Sequence, residues 1–159
     1  MHIASAPYAH SKTWTAGEIT FEELVSWLEE PALVKECGGY LLGQLAGGRR
    51  SKSTVLARDA ITLDADSARS DLPDLVELVG YQAIAHTTFR STPTDPRYRL
   101  IFPTDRPMSA REYAVAATAL DGEWLCTHPE QAGTGRSMRH YVSIGNGLLQ
   151  TDTIDIDLK

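Results

Sequence analysis

Three things are scarce in this 159-residue chain, and each scarcity narrows what it does. No stretch approaches the ~18–20 consecutive apolar residues that span a bilayer, so no membrane partner is expected. Cysteine is nearly missing: Cys37 and Cys126 stand far apart, and neither belongs to a Cys-x-x-Cys pair. Two isolated thiols do not make a disulfide framework. Cys126, His128 and His140 have no paired-ligand spacing, so no structural zinc is expected. Positive charge is also short. A net charge of −6 argues against a protein that coats nucleic acid through charge alone, but not against an enzyme with a local basic groove. Residues 1–14 lack the charged-then-apolar layout of a secretory signal, which leaves a cytoplasmic setting as the expectation.

What is present describes one globular domain. Hydrophobic residues make up 42% and charged residues 23%, enough for a sizeable core. Acidic residues cluster at Glu18 to Glu36, Asp64 to Glu77 and after Asp152. Basic ones cluster at Arg49-Arg50-Ser51-Lys52, at Arg90, Arg97 and Arg99, and at Arg136 and Arg139. Residues 1–17 show no period and read as an arm; the core spans about 20–145, and 146–159 reads as a tail. Thr20 with Glu23, and Ser109 with Glu112, are capping boxes that open two helices, the second reaching Leu120 or Leu125. A third helix is expected over Asp71 to Val79, stopped by Gly80. Strands are expected at 40–45, 54–64, 81–89, 97–102 and 139–144. Strands alternating with helices predict an α/β or α+β domain with one mixed sheet.

The most informative stretch is Ala60-Ile61-Thr62-Leu63-Asp64-Ala65-Asp66, a hydrophobic strand ending in two carboxylates. Strand side chains alternate, so Asp64 and Asp66 share a face with Cα atoms roughly 6.6 Å apart. Two like charges on one face repel unless a cation lies between them, and Mg²⁺ or Mn²⁺ prefers such hard oxygen ligands. A solvated exit from strand to loop reads the same residues without a metal. On either reading the strand end is exposed, and replacing Asp64 or Asp66 by alanine leaves the fold intact.

A second stretch, Ala83-Ile84-Ala85-His86-Thr87-Thr88-Phe89-Arg90-Ser91-Thr92, places a histidine near a strand end, followed by hydroxyls and an arginine. The third is Pro96-Arg97-Tyr98-Arg99-Leu100-Ile101-Phe102-Pro103. Hydroxyls and guanidinium groups at adjoining strand ends suit a triphosphate, because a guanidinium binds phosphate oxygens bidentately. The bland alternatives are a structural His86, a solvated Arg90, and an internal salt bridge from Arg97 or Arg99 to Asp95 or Asp105. Asp155-Ile156-Asp157 imitates the carboxylate motif but has no histidine-bearing strand after it. Gly133-Thr134-Gly135-Arg136 lacks the ending of a P-loop. Trp14, Trp27 and Trp124 read as packing residues.

In their order these three stretches resemble the archaeo-eukaryotic primase superfamily, and are most similar to the primase-polymerase domains of phage and plasmid replication proteins, such as those of actinobacterial phages. The resemblance covers about residues 39–143. It implies an α+β fold: a sheet resembling an RNA-recognition fold, mixed or antiparallel with flanking helices, beside a small α/β unit. It also implies a DNA primase or DNA polymerase that performs template-directed nucleotidyl transfer with two Mg²⁺ or Mn²⁺ ions bridged by Asp64 and Asp66. His86 would contact the incoming nucleotide's phosphates, with Arg90, Ser91, Arg97 and Arg99 as the rest of the phosphate wall. The family's third carboxylate departs from the usual pattern here; Glu130 and Asp121 are the candidates. Implied partners are a DNA template and primer, NTPs and dNTPs, and a helicase in a bacterial host cell, the chain being the N-terminal piece of a longer replication protein. A catalytically silent nucleotide- or nucleic-acid-binding module and a metal-dependent nuclease are the alternatives.

Overall fold

The computed structural model describes residues 1–8, 10–30, 38–65, 68–72, 74, 76 and 81–127, with side chains of the last helix described as far as Leu120. Among them is one six-stranded sheet, in which every pairing is antiparallel. Its strands are β1 (His2–Ala6), β2 (Thr15–Glu18), β3 (Gly39–Leu45), β4 (Val55–Ala65), β5 (Ile84–Thr87) and β6 (Tyr98–Met108). They lie in the order β2-β1-β3-β4-β6-β5. Two longer helices are α1 (Phe21–Glu29) and α2 (Ala110–Thr127), and single 3-10 turns lie at Ala46–Gly48 and Lys52–Thr54. The result is the expected α+β architecture, an antiparallel sheet flanked by helices.

Both capping boxes form. Thr20 Oγ1 accepts from Glu23 N while Glu23 Oε2 accepts from Thr20 N, at 3.1 and 2.8 Å. Ser109 and Glu112 do the same at the start of α2, at 3.3 and 2.8 Å. Each pair satisfies two amide groups that a helix leaves open at its first turn.

Residues 1–17 are not an arm, as the sequence suggests, but supply two strands. β1 docks on β3 through Ile3↔Leu42 and Ser5↔Tyr40, and β2 extends the sheet beyond it. The two strands, His-Ile-Ala-Ser-Ala and Thr-Ala-Gly-Glu, are short and rich in small side chains that give little periodic signal, so long-range pairing rather than propensity makes them. β6 likewise runs past Pro103 to Met108, where a stop was expected. Its pairing with β5 ends at Ile101, so the rest of β6 follows a sheet edge, where a missing proline N–H is tolerated. The strand expected over 81–89 is shorter, Ile84–Thr87. Most of the helix expected over 71–79 and the strand at 139–144 lie outside the described residues.

Alternation along the strands sorts the core onto two faces. Leu24 and Leu28 of α1 pack with Ile3, Tyr40, Leu42, Ala60, Ile84 and Ile101. Burying one such leucine is worth about 1.5–3 kcal/mol. On the other face Leu63, Ala65, Ala85, Leu100 and Phe102 pack with Leu72, Val76 and Leu120. At Gly43, φ is +147°, and a Cβ there would lie 2.1 Å from the Ala57 carbonyl oxygen, so β3 and β4 can approach only over a glycine. The register between the two strands shifts immediately beyond it, at Gln44 and Leu45.

Candidate functional site

β4 and β5 both end, and β6 begins, at one edge of the sheet. There the register sets Asp64 opposite Arg99, and Arg99 opposite His86. Directly opposed residues in paired strands point to the same face. The three form one polar row on the face whose neighbouring positions, Ala60, Ile84 and Ile101, belong to the apolar cluster under α1.

The row is buried: Asp64 is 2% exposed, and Arg99 and His86 are each 1% exposed. Arg99 grips Asp64 with two parallel bonds. Its Nη2 donates to Oδ2 at 2.6 Å and its Nε donates to Oδ1. Such a fork-on-fork pair is the strongest form of charge-assisted hydrogen bond, and in the interior it replaces the water that both charges have lost. His86 Nδ1 lies 2.9 Å from the Thr87 carbonyl oxygen. A carbonyl only accepts, so Nδ1 carries the proton and Nε2 is the acceptor nitrogen of a neutral ring. Burial, and then the positive charge of Arg99, lower the His86 pKa to about 3, against the opposing effect of the Thr87 carbonyl. The imidazole is therefore neutral at physiological pH.

This overturns the reading of Asp64 as an exposed strand-end residue. Its face is covered, and Arg99 compensates its charge. The salt bridge considered for Arg99 with Asp95 or Asp105 is instead made to Asp64, whereas Arg97 does pair with Asp95, at 2.9 Å. Ser91 Oγ accepts the Arg97 backbone N–H at 3.0 Å, which closes the β5–β6 loop on itself. Arg90 is exposed on that loop. Asp66 and Glu130 lie outside the described residues, as does the side chain of Asp121 on α2. Among the described residues no three His, Cys, Asp or Glu side chains are grouped to hold a metal ion.

A second polar group, not anticipated from the sequence, is built around the first half of β4. Asp59 is 5% exposed, and its Oδ2 accepts from the His2 backbone N at 2.6 Å and from His2 Nδ1 at 2.8 Å. His2 Nε2 in turn lies 2.9 Å from Gln44 Nε2. Arg58 is 4% exposed and stacks over the Tyr113 ring, 4.7 Å from its centroid, while its Nε has no acceptor. Trp14 and Trp27 are packing residues as expected. Trp14 is buried with Ala4, Ala6 and Leu41, and Trp27 meets Tyr40 edge-on at 5.3 Å.

No curated protein and no solved structure matches the chain. One family, described as VapE N-terminal domain, matches residues 29–123, from the end of α1 into α2. The match contains the whole Asp64–Arg99–His86 row and the strands that align it. Because it takes in more than half of the sequence, the chain belongs to the VapE N-terminal domain family, a domain associated with phage and plasmid replication.

Proposed function

We propose that this domain catalyses DNA-template-directed nucleotidyl transfer in phage or plasmid replication, as a primase-polymerase centred on the Asp64–Arg99–His86 row. The row itself is the observation that carries the reading. An ionised pair and an imidazole occupy a face whose neighbours Ala60, Ile84 and Ile101 are apolar, although well-packed apolar residues of similar volume often hold a fold as well or better. Strongly shifted titratable groups concentrate where chemistry is done. Membership of a replication-associated domain family supports the same reading.

The donor chemistry fits Mg²⁺ or Mn²⁺. Asp64 is a hard carboxylate donor and Asp66 would supply a second two residues on, but Arg99 holds both Asp64 oxygens, so an ion would have to displace that fork. Glu130 or Asp121 would be the third. A divalent ion held by these carboxylates would neutralise phosphate charge and acidify an attacking hydroxyl. Arg99 keeps Asp64 in one orientation, and its planar fork would turn to phosphate oxygens only on opening that pair. His86, with its Nδ1–H committed to Thr87, accepts at Nε2; it takes a hydrogen from a sugar hydroxyl more readily than it meets an unprotonated phosphate oxygen. Arg90 and Arg97, on the loop leaving the row, are the outer phosphate contacts. NTPs or dNTPs, a primed DNA template and a helicase are the partners of this reading.

The test is extension of a labelled primer on a DNA template with NTPs or dNTPs and either metal, alongside a primer-free lane. Asp64→Asn and Asp66→Asn are the controls, because asparagine keeps the volume and, at position 64, one oxygen for Arg99. Extension by the wild type alone is the expected result; no extension under any of these conditions refutes the proposal. That Arg99 engages both Asp64 oxygens favours a second reading, a silent module that binds nucleotides or nucleic acid within a replication complex. Oligonucleotide binding without incorporation would support it, and strand degradation without nucleotides would mark a nuclease.

A further inference from the structure

Asp64 and Arg99 compensate each other in the interior, and Asp59 is held by His2. Arg58 is different. It is 4% exposed, yet among the described residues no acid pairs with it and no acceptor meets its Nε. Interiors rarely keep a charge without a counter-charge or an acceptor, because removing it from water is costly. What lies against Arg58 is the Tyr113 ring, 4.7 Å from centroid to guanidinium carbon. That ring is fixed: the Tyr113 hydroxyl donates to the Thr62 carbonyl at 3.2 Å and accepts from Thr62 N at 3.4 Å. A stacked ring covers the face of a guanidinium, whereas the N–H groups lie in its plane and point out from its edge.

Strand register brings a second source of positive potential to the same place. Arg58 stands opposite Met108, and the next residue, Ser109, caps α2, whose first turn ends in Tyr113. In that turn Glu112 N is satisfied by Ser109 Oγ at 3.3 Å, and Tyr113 N by the Ser109 carbonyl at 2.9 Å. The N–H groups of Ala110 and Arg111 have no partner within the helix. The Glu112 carboxylate, the acid of this turn, is engaged by Ser109 N at 2.8 Å and by Arg106 Nη2 at 2.7 Å. Ser109, Ala110 and Arg111 are exposed, so the turn is open to solvent. α2 packs through Leu120 on the Leu63 face, while the polar row shares the Ala60 face under α1. The two places lie on opposite sides of the sheet.

We infer that Arg58 and the first turn of α2 form a binding site for a phosphate group. The guanidinium supplies a buried positive charge and in-plane donors, and the helix terminus adds two amides and the positive end of its dipole. A carboxylate has two oxygens for this set of donors, and a phosphate group has three or four, so phosphate satisfies more of them at once. Tyr113, stacked on Arg58 and tied to Thr62, holds the guanidinium in place before the anion arrives. The site stands apart from the proposed reaction, and its occupation needs neither metal nor turnover.

The test is thermal unfolding of the full chain by circular dichroism, without metal and at constant ionic strength, with inorganic phosphate, dATP or acetate added. Phosphate about tenfold above its dissociation constant should raise the melting temperature of the wild type by about 3–6 °C, and acetate should not. Arg58→Met should melt at or above the wild type without anion, which shows that it folds, and should gain nothing specific from phosphate. General stabilisation by a kosmotropic anion would act alike on both proteins and cancels in the comparison. Arg58→Lys keeps the charge without the fork and should retain only part of the shift. An Arg58-dependent shift with dATP as well as phosphate assigns the site to a nucleotide's phosphate; a shift with phosphate alone assigns it to the free anion. Either result without primer extension upholds this inference while removing the proposed catalysis. Equal phosphate shifts in the wild type and Arg58→Met, or none in either, overturn it. So does a shift with acetate as large as that with phosphate, which would make this a carboxylate site.

Discussion

His86 makes the stability of this domain depend on pH over a window that its other shifted groups leave clear. An unperturbed histidine takes up its proton near 6.5, whereas the folded protein holds His86 unprotonated down to about 3. The proton would have to enter a nearly waterless site facing the Arg99 guanidinium, with Asp64 already committed to that cation. The folded pKa is thus the lower one. Below pH 6.5 the unfolded chain binds a proton that the native state does not, and stability falls as pH falls, levelling off only near pH 3. One proton corresponds to about 1.4 kcal/mol per pH unit, so about 2–3 kcal/mol is lost between pH 6.5 and pH 4.5. That is a large share of the ~5–15 kcal/mol that holds a typical domain together. The carboxyls of Glu23 and Glu112 are lowered from 4.5, the latter to about 2, so their contributions are lost only below this window. Urea unfolding followed by circular dichroism at half-unit steps from pH 7.5 to 4.5 measures the slope, and His86→Gln removes the titrating group. The difference between wild type and variant should grow by about one proton's worth per unit below pH 6.5. Parallel curves for the two proteins would refute the reasoning, because His86 would then titrate alike in the folded and unfolded states.

The Asp64–Arg99 pair predicts an asymmetry between single and double replacements. Asp64→Leu or Arg99→Met alone strands a buried charge and should cost about 3–5 kcal/mol in chemical denaturation, while Asp64→Leu/Arg99→Met together should cost less than either. Additive costs in that cycle would show that the two groups do not compensate each other. Arg58→Met removes a buried cation whose Nε has no acceptor, and should be neutral or stabilising despite losing up to about 2 kcal/mol of stacking on Tyr113. A marked fall in melting temperature would contradict this. Gly43→Ala sets a methyl against the Ala57 carbonyl at an unfavourable φ and should destabilise by about 1–3 kcal/mol; wild-type stability would mean that β3 and β4 separate at no cost.

How much of this was legible in the sequence followed from the range of the forces involved. The capping boxes at Thr20 and Ser109 act across three residues, and both were read correctly. The apolar centres of β3 and β4 were also legible, because the alternation of their side chains is written into consecutive residues. β1 and β2 were not, since these short, small-residue segments become strand only when β3 offers β1 an edge and β1 offers one to β2. The site divides along the same line. Asp64, His86 and Arg99 each stood out by chemistry, and His86 with Arg99 could have been paired from the β5–β6 hairpin alone. Setting Asp64 opposite Arg99 needs the contact between β4 and β6, whose strands are separated in sequence by the whole of β5 and its flanking segments. Burial was the harder part. Alternation says that Asp64 shares a face with Ala60, but not that α1 covers the neighbouring part of that face, because helix docking is non-local. Arg97 and Arg99 make the point within three residues. Both are arginines in an Arg-x-Arg pair; Arg97 lies before β6 begins and finds Asp95 in its own loop, while Arg99 lies inside the sheet and finds Asp64 across it. Which carboxylate each one holds was decided by strand register, and so was the presence at this strand end of a closed ion pair where the local sequence alone suggested two open carboxylates.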